Sequence, residues 1–209
     1  MAVASGESLR ANLKQMTRQK LVESAQECFE EKGYVKTSAE DITSRIGASR
    51  ATFYLHFSGG KPEVLAEIFT ESHIGPLLEL MDKLDSLEEP LETADLRSWL
   101  EEYRSTYART RSITRAWFQG EAKEGPALQG TADTIRDRFL DIMSSKVTAI
   151  RRRNRRRGTE EDSRLRALLM FVELDRFLYY AYLRNLPLNV ELGLDLIAQR
   201  WSTTLMGES

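Results

Sequence analysis

Proline is tolerated at a helix start and disrupts a helix interior. This chain has only five prolines, widely spaced: Pro62, Pro76, Pro90, Pro126 and Pro187. Between them run long blocks rich in Leu, Glu, Arg and Ala, with little of the β-branched alternation that marks strands. The punctuation therefore predicts an all-α protein. Apolar periodicity places a first helix over Met16 to Lys32, where Leu21, Ala25, Cys28 and Phe29 share one face. Gly33 ends it, because glycine takes the left-handed position after a helix without strain. Thr37-Ser38-Ala39-Glu40 reads as a capping box, with Thr37 as cap and Glu40 reaching back. A short helix follows to Ile46, then a turn at Gly47-Ala48. Ser49 caps a third short helix over 50–57. Ser58-Gly59-Gly60 breaks that helix. Further helices are expected over 62–84, 92–110, 112–123, 127–157, 160–185 and 189–206, with a kink or break at Gly75-Pro76.

Two short helices joined by a glycine-containing turn form a helix-turn-helix. Ile42 and Ile46 on the first, Phe53 on the second, and Phe29 behind them can pack and set the interhelical angle. Arg50, Ala51 and Tyr54, with Thr52 nearby, then project outward as a recognition helix projects side chains into a major groove. Arginine can bond a guanine edge in bidentate fashion. Tyr54, His56 and Lys61 have the reach to hold phosphates and fix register.

These residues carry a resemblance. The stretch from Thr17 to Leu65 resembles the DNA-binding domain of TetR-family transcriptional regulators. The matching pieces are Phe29 with Gly33-Tyr34, Thr37-Ser38, Asp41-Ile42, Gly47-Ala48-Ser49, Thr52-Phe53-Tyr54, His56-Phe57 and Lys61. The resemblance implies a cytoplasmic homodimer, usually a repressor, whose C-terminal domain binds a small ligand that releases DNA. It puts Arg50 and Ala51 at base-contact positions. Tyr54 and His56 fall at phosphate-contact positions, as do Thr37 and Ser38 at the start of the second helix. The DNA-facing set so expected is Thr37, Ser38, Ser49, Arg50, Ala51, Thr52, Tyr54, His56 and Lys61. Two departures stand out. Ala51 replaces the glycine or proline frequent in the family. One extra residue separates Phe57 from Lys61, so either Lys61 is displaced from its phosphate or Gly60 takes that place.

The expected domains are 1–61, with 1–15 as a possible flexible arm, and 62–209 for ligand binding and dimerisation. Arg10, Lys14 and Arg18 would make the arm basic, able to track phosphate, or they simply extend the first helix. Charge is only mildly asymmetric: residues 1–61 hold nine Lys and Arg against seven Asp and Glu, and the whole chain carries −2. Six arginines crowd 151–157, as a solvated helix end or as a site for nucleic acid or an acidic ligand.

The last two helices are apolar on more than one side. Leu165, Leu168, Leu169, Phe171, Val172, Leu174 and Phe177 lie on one, and Val190, Leu194, Ile197, Trp201 and Leu205 on the other. Two such helices from each subunit can form an intermolecular four-helix bundle, setting two recognition helices against a palindromic operator of double-stranded DNA. The middle of the chain is aromatic. Trp99, Tyr103, Tyr107, Trp117, Phe118, Phe139, Met143 and Phe171, with Asp175 as a polar anchor, either line a cavity for a largely hydrophobic ligand or fill a core.

Two histidines and one cysteine leave no readable zinc cluster or Cys/His nucleophile, so no catalytic residues, metal or cofactor are expected. Gly59-Gly60-Lys61 lacks the spacing of a phosphate loop, and Pro62 stands where that loop needs Ser or Thr. No apolar run approaches the roughly 20 residues of a membrane span, and the polar Met1 to Asn12 lacks a signal-peptide core. A cytoplasmic, non-enzymatic DNA-binding regulator is expected. A ligand-independent, nucleoid-type DNA-binding protein is the alternative.

Overall fold

A computed structural model describes residues 3–88, 91–125, 128, 130–154 and 158–206. Among the described residues every regular element is helical. The order is α1 (Val3–Lys32), α2 (Ala39–Arg45), α3 (Arg50–His56), α4 (Lys61–Phe69), a π-helical turn (Thr70–Ile74), α5 (Gly75–Ser86), α6 (Thr93–Arg109), α7 (Arg111–Glu124), α8 (Asp133–Arg153), α9 (Glu160–Leu178), a second π-helical turn (Tyr179–Leu183) and α10 (Val190–Met206).

Four boundaries differ from expectation for identifiable reasons. Helix α1 begins at Val3 rather than Met16, so most of the segment expected as a possible arm is helical. Its Leu9, Arg10, Ala11, Leu13, Lys14 and Gln15 are all strong helix formers, although they make no buried stripe. Helix α2 is capped by Ser38 with Asp41, not by Thr37 with Glu40. The Ser38 hydroxyl accepts from the Asp41 N–H at 3.1 Å, and the Asp41 carboxylate accepts from the Ser38 N–H at 2.8 Å. Thr37 is drawn elsewhere: its buried hydroxyl is shared between the carbonyls of Cys28 at 3.1 Å and Gly33 at 2.9 Å. Pro76 sits in the first turn of α5, where its missing N–H is harmless, and the wider turn at Thr70–Ile74 precedes it. Helix α8 begins at Asp133 instead of 127, after the positive-φ residues Gly125 and Gly130. Pro90, Pro126 and Arg155 to Arg157 lie outside the described residues.

Backbone contacts divide the chain into two compact units, Met1–Glu71 with Ser112–Gln129, and Ser72–Arg111 with Gly130–Ser209. The first has a core of Leu21, Ala25, Cys28, Phe29, Tyr34, Ile42, Phe53, Phe57, Val64, Leu65 and Trp117. Ile46, expected there, is only half-buried. Trp117 stacks on Phe69, centroids 4.2 Å apart. Gly120 lets α7 close on this core: a Cβ there would stand 2.7 Å from Leu65 and 2.9 Å from Leu128. The second unit centres on Trp99, Phe139 and Trp201, whose rings lie 5.5 to 6.2 Å apart. The Trp99 indole donates to the Leu80 carbonyl at 2.7 Å. Buried Lys146 donates to the carbonyls of Asp85 and Leu87 at the end of α5, where a cation complements the helix dipole.

Candidate nucleic-acid interface

The site is the α2–turn–α3 unit, and its geometry begins at α1. The Ser24 hydroxyl donates to the Ile42 carbonyl at 2.7 Å, tying α2 to α1. Arg45 pairs with Glu27 at 3.0 Å and also with Glu31, and Lys32 pairs with Asp41 at 2.5 Å. The bonds from Lys32 and Ser38 hold the Asp41 carboxyl well below the usual carboxylate range. Gly47, at φ 65°, makes the turn, and the Ala48 N–H donates to the Thr43 carbonyl at 3.0 Å. A positive φ is the conformation that glycine adopts most cheaply. Ser49 then caps α3, accepting from the Thr52 N–H at 3.1 Å.

Helix α3 is anchored by its aromatic residues. Phe53 and Phe57 are fully buried, 5.5 Å apart, and Tyr54 meets Phe53 edge-on at 5.3 Å. With that face fixed, Arg50, Ala51, Tyr54 and Leu55 point outward. Leu55, 73% exposed, was not singled out from the sequence; its place one helical turn after Ala51 was the available signal. Arg18 secures the end of α3. Its guanidinium donates to the His56 carbonyl at 2.6 Å, lies 4.2 Å from the Phe57 ring centre, and pairs with Glu67. His56 is half-buried. Burial first, then the positive charges of Lys14 and Arg18, lowers its pKa below the ordinary histidine value.

The expected DNA-facing residues thus separate. Ser38, Ser49, Arg50, Ala51 and Tyr54 are exposed, and Thr52 and His56 are partly so. Thr37 is buried, with its hydroxyl spent on α1. Lys61 is the first residue of α4, and its ammonium donates to the Tyr34 carbonyl.

Comparison with known proteins matches residues 21–68 to the family of bacterial regulatory proteins, tetR family. The chain belongs to the TetR family. The HTH-type transcriptional regulator LmrA of Bacillus subtilis (strain 168) is 26% identical over 97 residues, 46% of this chain and 50% of LmrA. The match thus spans about half the length of that curated relative. Among solved structures, one described as a TetR-family transcriptional regulator of Syntrophomonas wolfei matches with a TM-score of 0.67 at 16% identity, over 93% of this chain and 97% of its own. The regulator PfmR of Thermus thermophilus matches at 0.63 and 22% identity, over 90% and 98%. The SmeT–triclosan complex matches at 0.63 and 24% identity, over 88% and 91%. These structures share the fold. TetR-family regulators are DNA-binding transcription factors and not enzymes.

In this TetR-family chain the residues expected around a ligand fall in both units. Trp117 and Phe118 belong to the first. Trp99, Tyr103, Tyr107, Phe139, Met143, Phe171 and Asp175 belong to the second, and all but Phe171 and Asp175 are buried. Phe171 packs 5.5 Å from Phe139. Burial pushes the Asp175 carboxyl up, and the neighbouring Arg176 opposes that rise. Among the described residues no helix is long and apolar enough to cross a membrane.

Proposed function

We propose that this TetR-family regulator is a cytoplasmic repressor that binds a palindromic operator as a homodimer and leaves it when a largely apolar small molecule binds. The observation that carries DNA reading is α3 itself. It is capped at Ser49, pinned through Phe53 and Phe57, and left with Arg50, Ala51 and Tyr54 in solvent. A rigid short helix presenting such side chains suits a major groove. Arg50 would read a guanine edge, Ala51 would touch base methyls, and Tyr54, His56 and Ser38 would hold phosphates.

Dimerisation is supported by α9 and α10. Leu165, Leu169 and Val172 form an exposed stripe on α9 at helical spacing, with Leu169 68% exposed. Leu192 and Leu196 do the same on α10, which packs beside α9. A solvent-facing apolar strip of this size signals a partner surface. A second copy laid across it would build the four-helix bundle and set two α3 helices about one groove repeat, roughly 34–36 Å, apart. SmeT, of the same fold, forms a complex with triclosan, which supports a small-molecule effector for this chain. Release then follows as a population shift. The effector favours a dimer conformation in which the spacing of the α3 pair no longer matches the operator, and its differential affinity sets how far the balance moves.

The test starts by selecting fragments of the parent genome on the purified protein and measuring affinity for the recovered duplex and a scrambled one. Arg50→Ala should abolish the difference between the two duplexes, about 1–3 kcal/mol per lost base contact. Leu169→Asp should give a folded monomer by analytical ultracentrifugation that no longer retains the operator. A wild-type protein that is monomeric, or that holds all duplexes equally, overturns the reading; the second result would favour a nucleoid-type protein.

A further inference from the structure

We propose that the second unit takes a neutral, apolar molecule carrying one hydroxyl group, which Tyr107 and Asp175 hold between them. This deepens the ligand-responsive reading and rests on it.

Tyr107 follows Tyr103 by one helical turn on α6, and both side chains are buried. The Tyr107 hydroxyl has no hydrogen-bond partner among the described residues. Burying such a group unpaired costs about 1–3 kcal/mol, and native interiors rarely keep one without a purpose or a guest. The ring around it is well held. The His73 edge lies 5.8 Å from its centre and the Tyr182 ring 6.2 Å away. Tyr182 is fixed in turn by Arg104, which donates to its hydroxyl at 2.9 Å.

Asp175, on α9, is the polar group facing these rings. Its charge reaches the hydroxyls of both Tyr103 and Tyr107 and, after burial, is the next cause of their raised pKa values. Arg176 occupies one carboxylate oxygen, Oδ2, with its Nε at 3.0 Å and its Nη2 at 2.8 Å. The other oxygen, Oδ1, has no bond among the described residues. A carboxylate oxygen can accept two. The cluster therefore offers one unpaired donor and one unpaired acceptor in an aromatic setting.

Chemistry narrows what completes it. A carboxylate guest would be repelled by Asp175. A cationic amine would add a second positive charge to a carboxylate that Arg176 already neutralises. An ether accepts from Tyr107 but gives Asp175 nothing. A hydroxyl accepts from the Tyr107 O–H and donates to Asp175 Oδ1, and its uncharged apolar remainder can lie among the rings without a desolvation penalty.

The experiment titrates the full-length protein calorimetrically, without DNA, with 2-naphthol, 2-methoxynaphthalene and 2-naphthoate. These share one ring system and differ only in the polar group. 2-Naphthol should bind at least tenfold tighter than either of the others. Tyr107→Phe should erase that preference, and the unliganded variant should melt no lower than wild type, because the hydroxyl it loses is unpaired. A hydroxyl with only a structural role would lower the melting point. Asp175→Asn, which keeps the shape, should also weaken 2-naphthol selectively. Equal binding of the ether, tighter binding of the naphthoate, no binding of any of the three, or a Tyr107→Phe protein that keeps the preference each overturns the proposal. None of those outcomes touches the repressor reading, which is decided by operator affinity. Bound 2-naphthol that leaves operator affinity unchanged would instead count against release by ligand and not against this site.

Discussion

The Lys61 ammonium donates to the Tyr34 carbonyl at 2.8 Å and stands 4.2 Å from the centre of the same residue's ring. Tyr34 is held from two further sides, since its N–H donates to Gln119 Oε1 at 3.0 Å and its hydroxyl donates to Glu124 Oε1 at 3.2 Å. Burial, with the charge of Lys123 behind it, lowers the Lys61 pKa. The extra loop residue explains the inward turn. Gly60, at φ 73°, swings the chain so that Lys61 opens α4 against Tyr34. Lys61 is then a positioning residue. Lys61→Ala should destabilise the fold by about 1–2 kcal/mol, the worth of one charged hydrogen bond and a cation–π contact. The salt dependence of DNA affinity should stay unchanged. A fall of about one in the slope of log affinity against log salt would mean that the ammonium reaches a phosphate after all. Urea unfolding and binding curves at four salt concentrations check both halves.

The two hydroxyls at the entrance of α2 should behave differently. Ser38→Ala removes a helix cap and should cost about 1 kcal/mol. Thr37→Val keeps the shape but leaves the carbonyls of Cys28 and Gly33 without a shared donor, costing about 1–2 kcal/mol. At temperatures where both variants are fully folded, Thr37→Val should bind operator as wild type does. Weakened binding by that folded variant would return Thr37 to the phosphate contacts.

Which of these relationships the amino-acid order discloses follows from how local each one is. The faces of α1 and α3 were legible because Leu21, Ala25, Cys28 and Phe29, then Phe53 and Phe57, recur at helical spacing and are buried. The Ser49 cap was legible because it depends on a residue three positions away. The choice between Thr37 and Ser38 as cap of α2 was not, since it turns on which hydroxyl the end of α1 draws in. The start of α1 was missed because residues 9–16 are exposed and show no stripe, only propensity. Trp117 was grouped with Trp99 and Phe139, yet it stacks on Phe69 in the other unit. A periodic pattern identifies a face and not its neighbour. The outward face of α3 was read from its helical phase, but Leu55 was passed over because a large apolar residue is usually assigned to a core.

Close approach between α9 and α10 depends on Gly193. A Cβ at that position would stand 2.1 and 2.6 Å from ring atoms of Phe177. Gly193→Ala therefore forces the ring aside and should destabilise by about 1–3 kcal/mol, the usual range for overpacking. Because the same two helices carry the exposed leucines, dimer affinity should fall with it. Gly193→Ala combined with Phe177→Leu should recover part of both losses, since neighbours in contact are not additive. Melting curves and sedimentation of the single and double variants decide this. An unchanged melting point for Gly193→Ala would show that the ring has room to move.

His73 should make the fold acid-sensitive in a defined window. Its Nδ1 lies 2.7 Å from the Thr110 hydroxyl, and that hydroxyl donates to the Thr106 carbonyl at 2.9 Å. With its single proton committed there, Thr110 accepts from the histidine, so Nδ1 carries the hydrogen of a neutral ring. Burial lowers the His73 pKa from the ordinary 6.5 to about 4. The unfolded chain thus takes up a proton below about pH 6.5, while the folded chain refuses it until about pH 4. The stability tied to this group is complete above the higher value, falls as pH drops between the two, and is spent below the lower. The shift corresponds to about 3 kcal/mol at 1.36 kcal/mol per pH unit. Urea unfolding of wild type and His73→Gln at pH 7.0, 5.5 and 4.0 isolates it, because other titrating groups cancel in the difference. The wild-type stability should decline by about 3 kcal/mol more than that of the variant across the series. Parallel pH curves for the two proteins would show that the ring accepts its proton without leaving the fold.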